Sequence, residues 1–144
     1  MKQEIKIVVL NDRRGERDGP SFFKLALSNG ETMTQLGVYA DSEDLQNLGK
    51  SLSEFSKGPD EKVTFERGAI GKAYYLLLEA ANHSNGQSAI KVIADNHTAE
   101  PFHSRAELFI NTDPASINKL GQGLTKWNFE QVDQFEWIAR NYYD

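Results

Sequence analysis

The sequence predicts an α+β fold: one domain, residues 1–144, in which an antiparallel sheet is built from two pseudo-symmetric strand-strand-helix halves, about 1–58 and 59–128, with a C-terminal helix over about 129–143. The first observation behind this is a helix signature that occurs twice, Asp41-x-x-x-Leu45-x-x-Leu48-Gly49-x-x-Leu52-x-x-Phe55 and Asp113-x-x-x-Ile117-x-x-Leu120-Gly121-x-x-Leu124-x-x-Trp127, with every named position keeping the offset of 72 that separates 41 from 113. The second is that each copy follows a strand-like run, Gln35-Leu36-Gly37-Val38 or Glu107-Leu108-Phe109-Ile110. The third is size, since 144 residues can bury a core without disulfides or a metal. Short antiparallel strands closed by a helix in each half place both equivalent helices on one face of the sheet.

Taken in order, Met1–Leu10 is an apolar run too short for a secretory signal and reads as a first strand. A charged, glycine-bearing loop, Asn11–Pro20, follows. Ser21–Ser28 alternates, Asn29-Gly30 marks a hairpin turn with both central residues at positive φ, and Thr32–Val38 returns as the second arm. Asp41 caps the first helix, Glu43 and Asp44 place negative charge at its positive end, and Gly58-Pro59 stops it. Gly49 and Gly121 lie on the apolar stripes of their helices, where glycine costs about 0.5–1 kcal/mol relative to alanine. Their repetition predicts a site where the helix backbone approaches the sheet, or the other helix, too closely for a side chain.

Lys62–Glu66, Ala73–Glu79, Ser88–Asp95 and Arg105–Asn111 read as four further strands, with a long polar loop, Asn96–Ser104, before the last. Asp113-Pro114 opens the second helix as a capping acid followed by proline at the first helical position. A third helix is expected from Asn128, with Gln131 in a capping box, Val132, Phe135, Ile138, Ala139 and Tyr142 on its buried stripe, and Trp137 and Tyr143 off it. The sheet face away from the helices would carry Tyr75, Leu77, Ile93 and Phe109, too apolar to leave wholly in water. Either the third helix covers it or a second chain does, as in a homodimer.

Composition narrows the chemistry. No cysteine is present, which excludes disulfides, thiolate metal sites and a cysteine nucleophile and fits the cytoplasm. No stretch approaches the ~20 apolar residues of a membrane span. Net charge is −5, from 21 acids against 16 bases, which disfavours nucleic acid and steers a basic partner. His83, His97 and His103 sit in loops; the last two bracket Glu100, but the set lacks the ligand spacing of a metal site. Arg13, Arg14 and Arg17 are interleaved with Asp12, Glu16 and Asp18, which cancel much of their field. Gly68 and Gly71-Lys72 do not have phosphate-loop spacing, and no nucleophile elbow or dinucleotide fingerprint occurs. No catalytic residue, metal ligand or cofactor is nominated.

Acids do gather on the polar sides of the expected helices: Glu43, Asp44 and Glu54 on the first, Glu130, Asp133 and Glu136 on the third. With Trp137 and Tyr143 as aromatic anchors, they form the expected docking surface for a basic protein. The segments Thr64-Phe65-Glu66, Tyr74–Glu79, Gly86–Asp95, Ala106–Ile110 and Asp113–Trp127 resemble the strand-rich body and terminal helix of small bacterial immunity proteins of the WapI type. That resemblance implies a non-catalytic domain that neutralises a toxin. The duplicated strands-then-helix unit also resembles the Pur and Whirly single-stranded nucleic-acid binders, with helices Leu45–Phe55 and Ile117–Trp127 in the matching place. The surface implied there is Lys6, Lys24 and Lys91 with Phe22, Tyr39, Tyr75 and Phe109, whereas Glu79 and Glu107 dilute its charge. The leading expectation is therefore a cytoplasmic protein-binding domain of immunity type; the alternative is a single-strand binder.

Overall fold

Alternation of apolar and polar residues organises the first sheet. In the computed structural model, which describes residues 2–11, 21–68, 73–83, 86–129 and 131–140, Ile5 and Ile7 of β1 (Gln3–Asn11), Phe23, Leu25 and Leu27 of β2 (Ser21–Asn29) and Leu36 and Val38 of β3 (Met33–Ala40) are all buried on one side. The registers Ile5 with Leu27 and Ile7 with Leu25 and Leu36 put them in rows across the sheet. The β2–β3 turn differs from expectation. Only Gly30 takes positive φ, and the Asn29 amide bonds to the Thr32 carbonyl, so Gly30-Glu31 are the central residues, while Asn29 Oδ1 accepts the amides of Glu31 and Thr32. Glycine at the first central position suits a hairpin twist, and asparagine holds the turn from outside.

Helix α1 (Ser42–Ser53) starts where expected, with Asp41 accepting the Asp44 amide and Asp44 accepting the Asp41 amide in a reciprocal box. The second sheet follows as a meander, β4 (Lys62–Gly68), β5 (Tyr75–Asn82), β6 (Ser88–Asp95) and β7 (Arg105–Thr112), paired in that order and antiparallel throughout. Gly68 ends β4 at φ 75°. Helix α2 (Pro114–Lys126) is capped by Asp113, whose carboxylate accepts the Ser116 amide. The domain thus has two four-stranded antiparallel sheets and two helices among the described residues, with one core in which Leu48 and Leu120 are both buried.

The two helices meet through their glycines. A Cβ on Gly121 would stand 2.5 Å from the Gly49 carbonyl oxygen and 2.3 Å from the Ser53 nitrogen, and one on Gly49 would stand 2.8 Å from the Gly121 carbonyl oxygen. The close approach is therefore between helices, and it is reciprocal. Beside it, Asn118 Nδ2 faces the carbonyls of Leu52, Ser53 and Phe55, so a side chain of α2 donates to carbonyls at and just past the C-terminus of α1.

The expected C-terminal helix is corrected: Gln134–Ile138 forms β8, antiparallel to β1, and completes the first sheet in the order β3-β2-β1-β8. Phe135 and Trp137 turn inward while Gln134, Glu136 and Ile138 are exposed. Helical spacing had put Val132 and Ile138 on a buried stripe, yet they are 55% and 47% exposed. Five residues fit both periods, and the open edge of β1 decides between them by offering backbone partners that a lone helix lacks. Trp137 Nε1 donates to the Ser116 carbonyl, the Arg140 amide donates to Ser116 Oγ, and the Ala139 amide donates to the Gln3 carbonyl. Among the described residues, no helix is long and apolar enough to cross a membrane.

Candidate functional site

Among the described residues, those expected to form one acidic, aromatic docking surface are not brought together. Glu43 lies in the first turn of α1 and Glu54 at its C-cap, roughly 16 Å apart by helical rise. Asp44 is held by the capping box and by an ion pair of 2.7 Å to Arg67 Nη2. Asp133 precedes β8, and Glu136 lies on the outward face of the first sheet, opposite Lys6. Trp137 is corrected outright: at 7% exposure it belongs to the core and cannot anchor a partner. Glu130 and Tyr143 lie outside the described residues, as do Tyr142, the arginine loop at 12–20 and Gly71-Lys72.

The outward face of the second sheet is the better-built surface. Strand register aligns Glu66, Leu77, Ile93 and Glu107 in one row, and Thr64, Glu79, Lys91 and Phe109 in the next. Leu77 and Ile93 are half-buried, Phe109 is 42% exposed, and His83 packs edge-on to Phe109 with ring centres 6.0 Å apart. The charges around this strip pair within the sheet: Lys62 with Glu79 at 3.8 Å and Lys91 with Glu107 at 3.5 Å. Tyr75 donates its hydroxyl to Glu66. The segment expected to cover this face is β8, which joins the other sheet instead.

One end of this face carries a feature that sequence reading missed. Asp95, the last residue of β6, is only 6% exposed and accepts the His97 amide at 2.8 Å, His103 Nε2 at 2.9 Å and Arg105 Nη1 at 3.4 Å. The His97 amide chiefly, then His103 and Arg105, holds its carboxyl below the usual carboxylate range, against the cost of burial. Asn96 closes the loop by accepting the Thr98 and Ser104 amides and donating to the Phe102 carbonyl. The loop tip presents Phe102, 74% exposed. The available signal was the Asp95-Asn96 pair ending an alternating strand, a turn-forming combination. His97 and His103 thus converge on Asp95 rather than on Glu100, and the described residues contain no cluster of three or more side chains able to hold a metal.

A depressed carboxyl contributes stability above its unfolded pKa, near 4, and loses it as pH falls through the folded value. Asp95→Asn is therefore expected to melt below the wild type at neutral pH, with the gap narrowing below about pH 4. Thermal melts at pH 7 and pH 3 check this, and an equal gap at both would contradict it.

A surface groove of about 270 Å³ lies between the start of α1 and the end of α2, lined by Ser42, Gln46, Thr125, Lys126 and Asn128 among others. A cavity of about 30 Å³ among Ile7, Leu25, Leu48, Phe65, Leu120 and their neighbours is wholly apolar, room for a water or two that would find no partner. The lysines and aromatics considered for a single-strand surface divide between two sheets: Lys6, Lys24, Phe22 and Tyr39 on the first, Lys91, Tyr75 and Phe109 on the second. Comparison with known proteins finds no matching family model, no matching curated protein and no matching solved structure.

Proposed function

We propose that the protein is a non-catalytic binding domain, and that its working surface is the outward face of the second sheet with the Phe102 loop at one end. The observation that carries this is the strip Leu77, Ile93 and Phe109, bordered by glutamates and lysines paired with one another. Apolar side chains with a compensated rim match the make-up of a protein interface. A phosphate backbone needs cations free to displace counterions, and Lys62 and Lys91 are already engaged. The partner is therefore a protein. The narrower reading, a basic toxin neutralised by an immunity-type protein, rests on the resemblance in strand and helix spacing and on the net charge of −5.

We also read the domain as a duplication. Strands 33–40 and 105–112 keep the offset of the helix signature, as do the starts of α1 and α2 at 42 and 114. In each sheet the strand that feeds the helix lies at one edge, and the paired glycines meet between the helices. On this reading β8 serves the first half as β4 serves the second.

Affinity capture with the wild type and with Ile93→Lys tests the assignment. A stoichiometric protein recovered by the wild type and reduced about tenfold or more by Ile93→Lys is expected, since a charge would be buried in the strip. Equal recovery by both, or tight binding of a labelled single-stranded oligonucleotide at low salt in place of a protein, would contradict it.

A further inference from the structure

We infer that the protein pairs with a second copy of itself through β4, edge to edge and antiparallel, with the two-fold axis at Thr64. Among the described residues, β4 is an end strand of the second sheet and pairs only with β5. Its segment reads Glu61-Lys62-Val63-Thr64-Phe65-Glu66-Arg67. Laid antiparallel against itself about Thr64, it sets Lys62 opposite Glu66 of the second copy, Glu61 opposite Arg67, Val63 opposite Phe65, and Thr64 opposite Thr64. Each match sets unlike charges, apolar groups or hydroxyls opposite one another, with Lys62, 3.8 Å from Glu79, and Arg67, 2.7 Å from Asp44, shared between their own chain and the second copy, and the two-fold repeats each unlike pair. Faces agree as well: Lys62, Thr64 and Glu66 are exposed, whereas Val63 is half-buried and Phe65 buried, so both faces continue across the join.

Other registers that preserve the faces lose the match. Centring on Phe65 sets Val63 against Arg67 and Thr64 against Glu66, with no ion pair, and centring on Val63 sets Asp60 against Glu66. The strand is therefore self-complementary in one register, which is why a second copy of this chain, rather than an unrelated strand, is the occupant. A groove of about 210 Å³ lined by Asp44, Asn47, Ser51, Thr64 and Arg67 separates β4 from α1. Two other edges are engaged at points within the molecule: the Tyr39 amide of β3 donates to Tyr74 Oη, and the Asn111 amide of β7 donates to Gln3 Oε1. On β4, Arg67 Nη1 donates to the Glu66 carbonyl, a bond that the incoming strand would replace. The product is a continuous eight-stranded sheet.

Sedimentation across a range of concentration tests this against the 16.2 kDa monomer. A reversible dimer is expected. Lys62→Glu and Glu66→Lys should each raise its dissociation constant about tenfold or more, because each places like charges opposite one another twice, and the double exchange should restore it. The chain has no cysteine, so Thr64→Cys supplies a single thiol on the axis, where Cα atoms of paired strands lie about 4.5–5.5 Å apart, within disulfide range. Mild oxidation should link the Thr64→Cys protein into a covalent dimer much faster than Lys62→Cys, whose two copies stand about 14 Å apart along the strands. A wild type that stays monomeric to about 1 mM, a dimer indifferent to both single exchanges, or equal cross-linking at 62 and 64 would overturn the inference. Thr64→Cys alters no charge, so it remains informative even where a charge exchange impairs folding.

Discussion

Trp137→Ala is expected to cost about 3–5 kcal/mol, the range for truncating a buried aromatic in a core. Two losses combine. The indole at 7% exposure packs with the common core, so its removal leaves a cavity between the first sheet and α2. Its Nε1 also donates to the Ser116 carbonyl, which would then lie buried without that donor. Because Trp137 sits opposite Ile5 within the five-pair β1–β8 ladder, the whole C-terminal strand should loosen, not the side chain alone. Hydrogen exchange at the Phe135 and Trp137 amides should rise, and the melting temperature should fall by roughly 10–15 °C for a domain of this size. Trp137→Phe keeps most of the volume and loses the donor, so about 1–2 kcal/mol is expected of it. A Trp137→Ala protein as stable as the wild type would remove β8 from the core.

Gly121→Leu is the second large effect. Even a methyl group there would collide with backbone atoms of α1, which cannot rotate aside as a side-chain tip can. The helices must separate, and the loss from that exceeds the gain of about 1 kcal/mol in helix propensity. A net cost of about 3 kcal/mol is expected for leucine and about 2 kcal/mol for Gly121→Ala. Gly49→Ala should cost less, since its backbone contacts, the Gly121 carbonyl oxygen at 2.8 Å and the Thr125 nitrogen at 2.9 Å, are longer than the 2.3 and 2.5 Å met at Gly121, and its nearest contact, the Thr125 hydroxyl at 2.7 Å, can turn. Chemical denaturation of the three variants gives the order directly, and unchanged stability in Gly121→Leu would end the close-packing account.

Much of the fold was legible because its signals are local. Capping acids at Asp41 and Asp113, alternation in Ser21–Asn29 and Ser88–Asp95, and the repeated glycines follow from backbone chemistry within a few residues. Glycine on an apolar stripe implied close approach, although only the structure shows that the other helix, not the sheet, makes it. The C-terminal segment reads as a helix from its spacing because Gln134–Ile138 takes its strand form from β1, some 130 residues earlier, and nothing local reveals that an open edge waits there. The same error displaced the expected site. Helical spacing places Trp137 and Glu136 off the buried stripe of a helix, whereas a strand sends one to the core and the other to the opposite face of the sheet.

The second-sheet face was half visible. Tyr75, Leu77, Ile93 and Phe109 were recognised as one apolar face from alternation alone, but the pairing of Lys62 with Glu79 and Lys91 with Glu107 depends on register between strands, which alternation does not set. Asp95 escaped notice because its importance lies in three partners that a loop folds back onto it.

The claim that recognition occurs on this face is tested most directly by methyl-labelled isoleucine and leucine spectra of the protein with and without its captured partner. Shifts concentrated at Leu77 and Ile93, with Ile138 on the outward face of the first sheet unmoved, are the predicted result. Shifts at Ile138 with Leu77 and Ile93 unchanged would place binding on the first sheet and contradict the account.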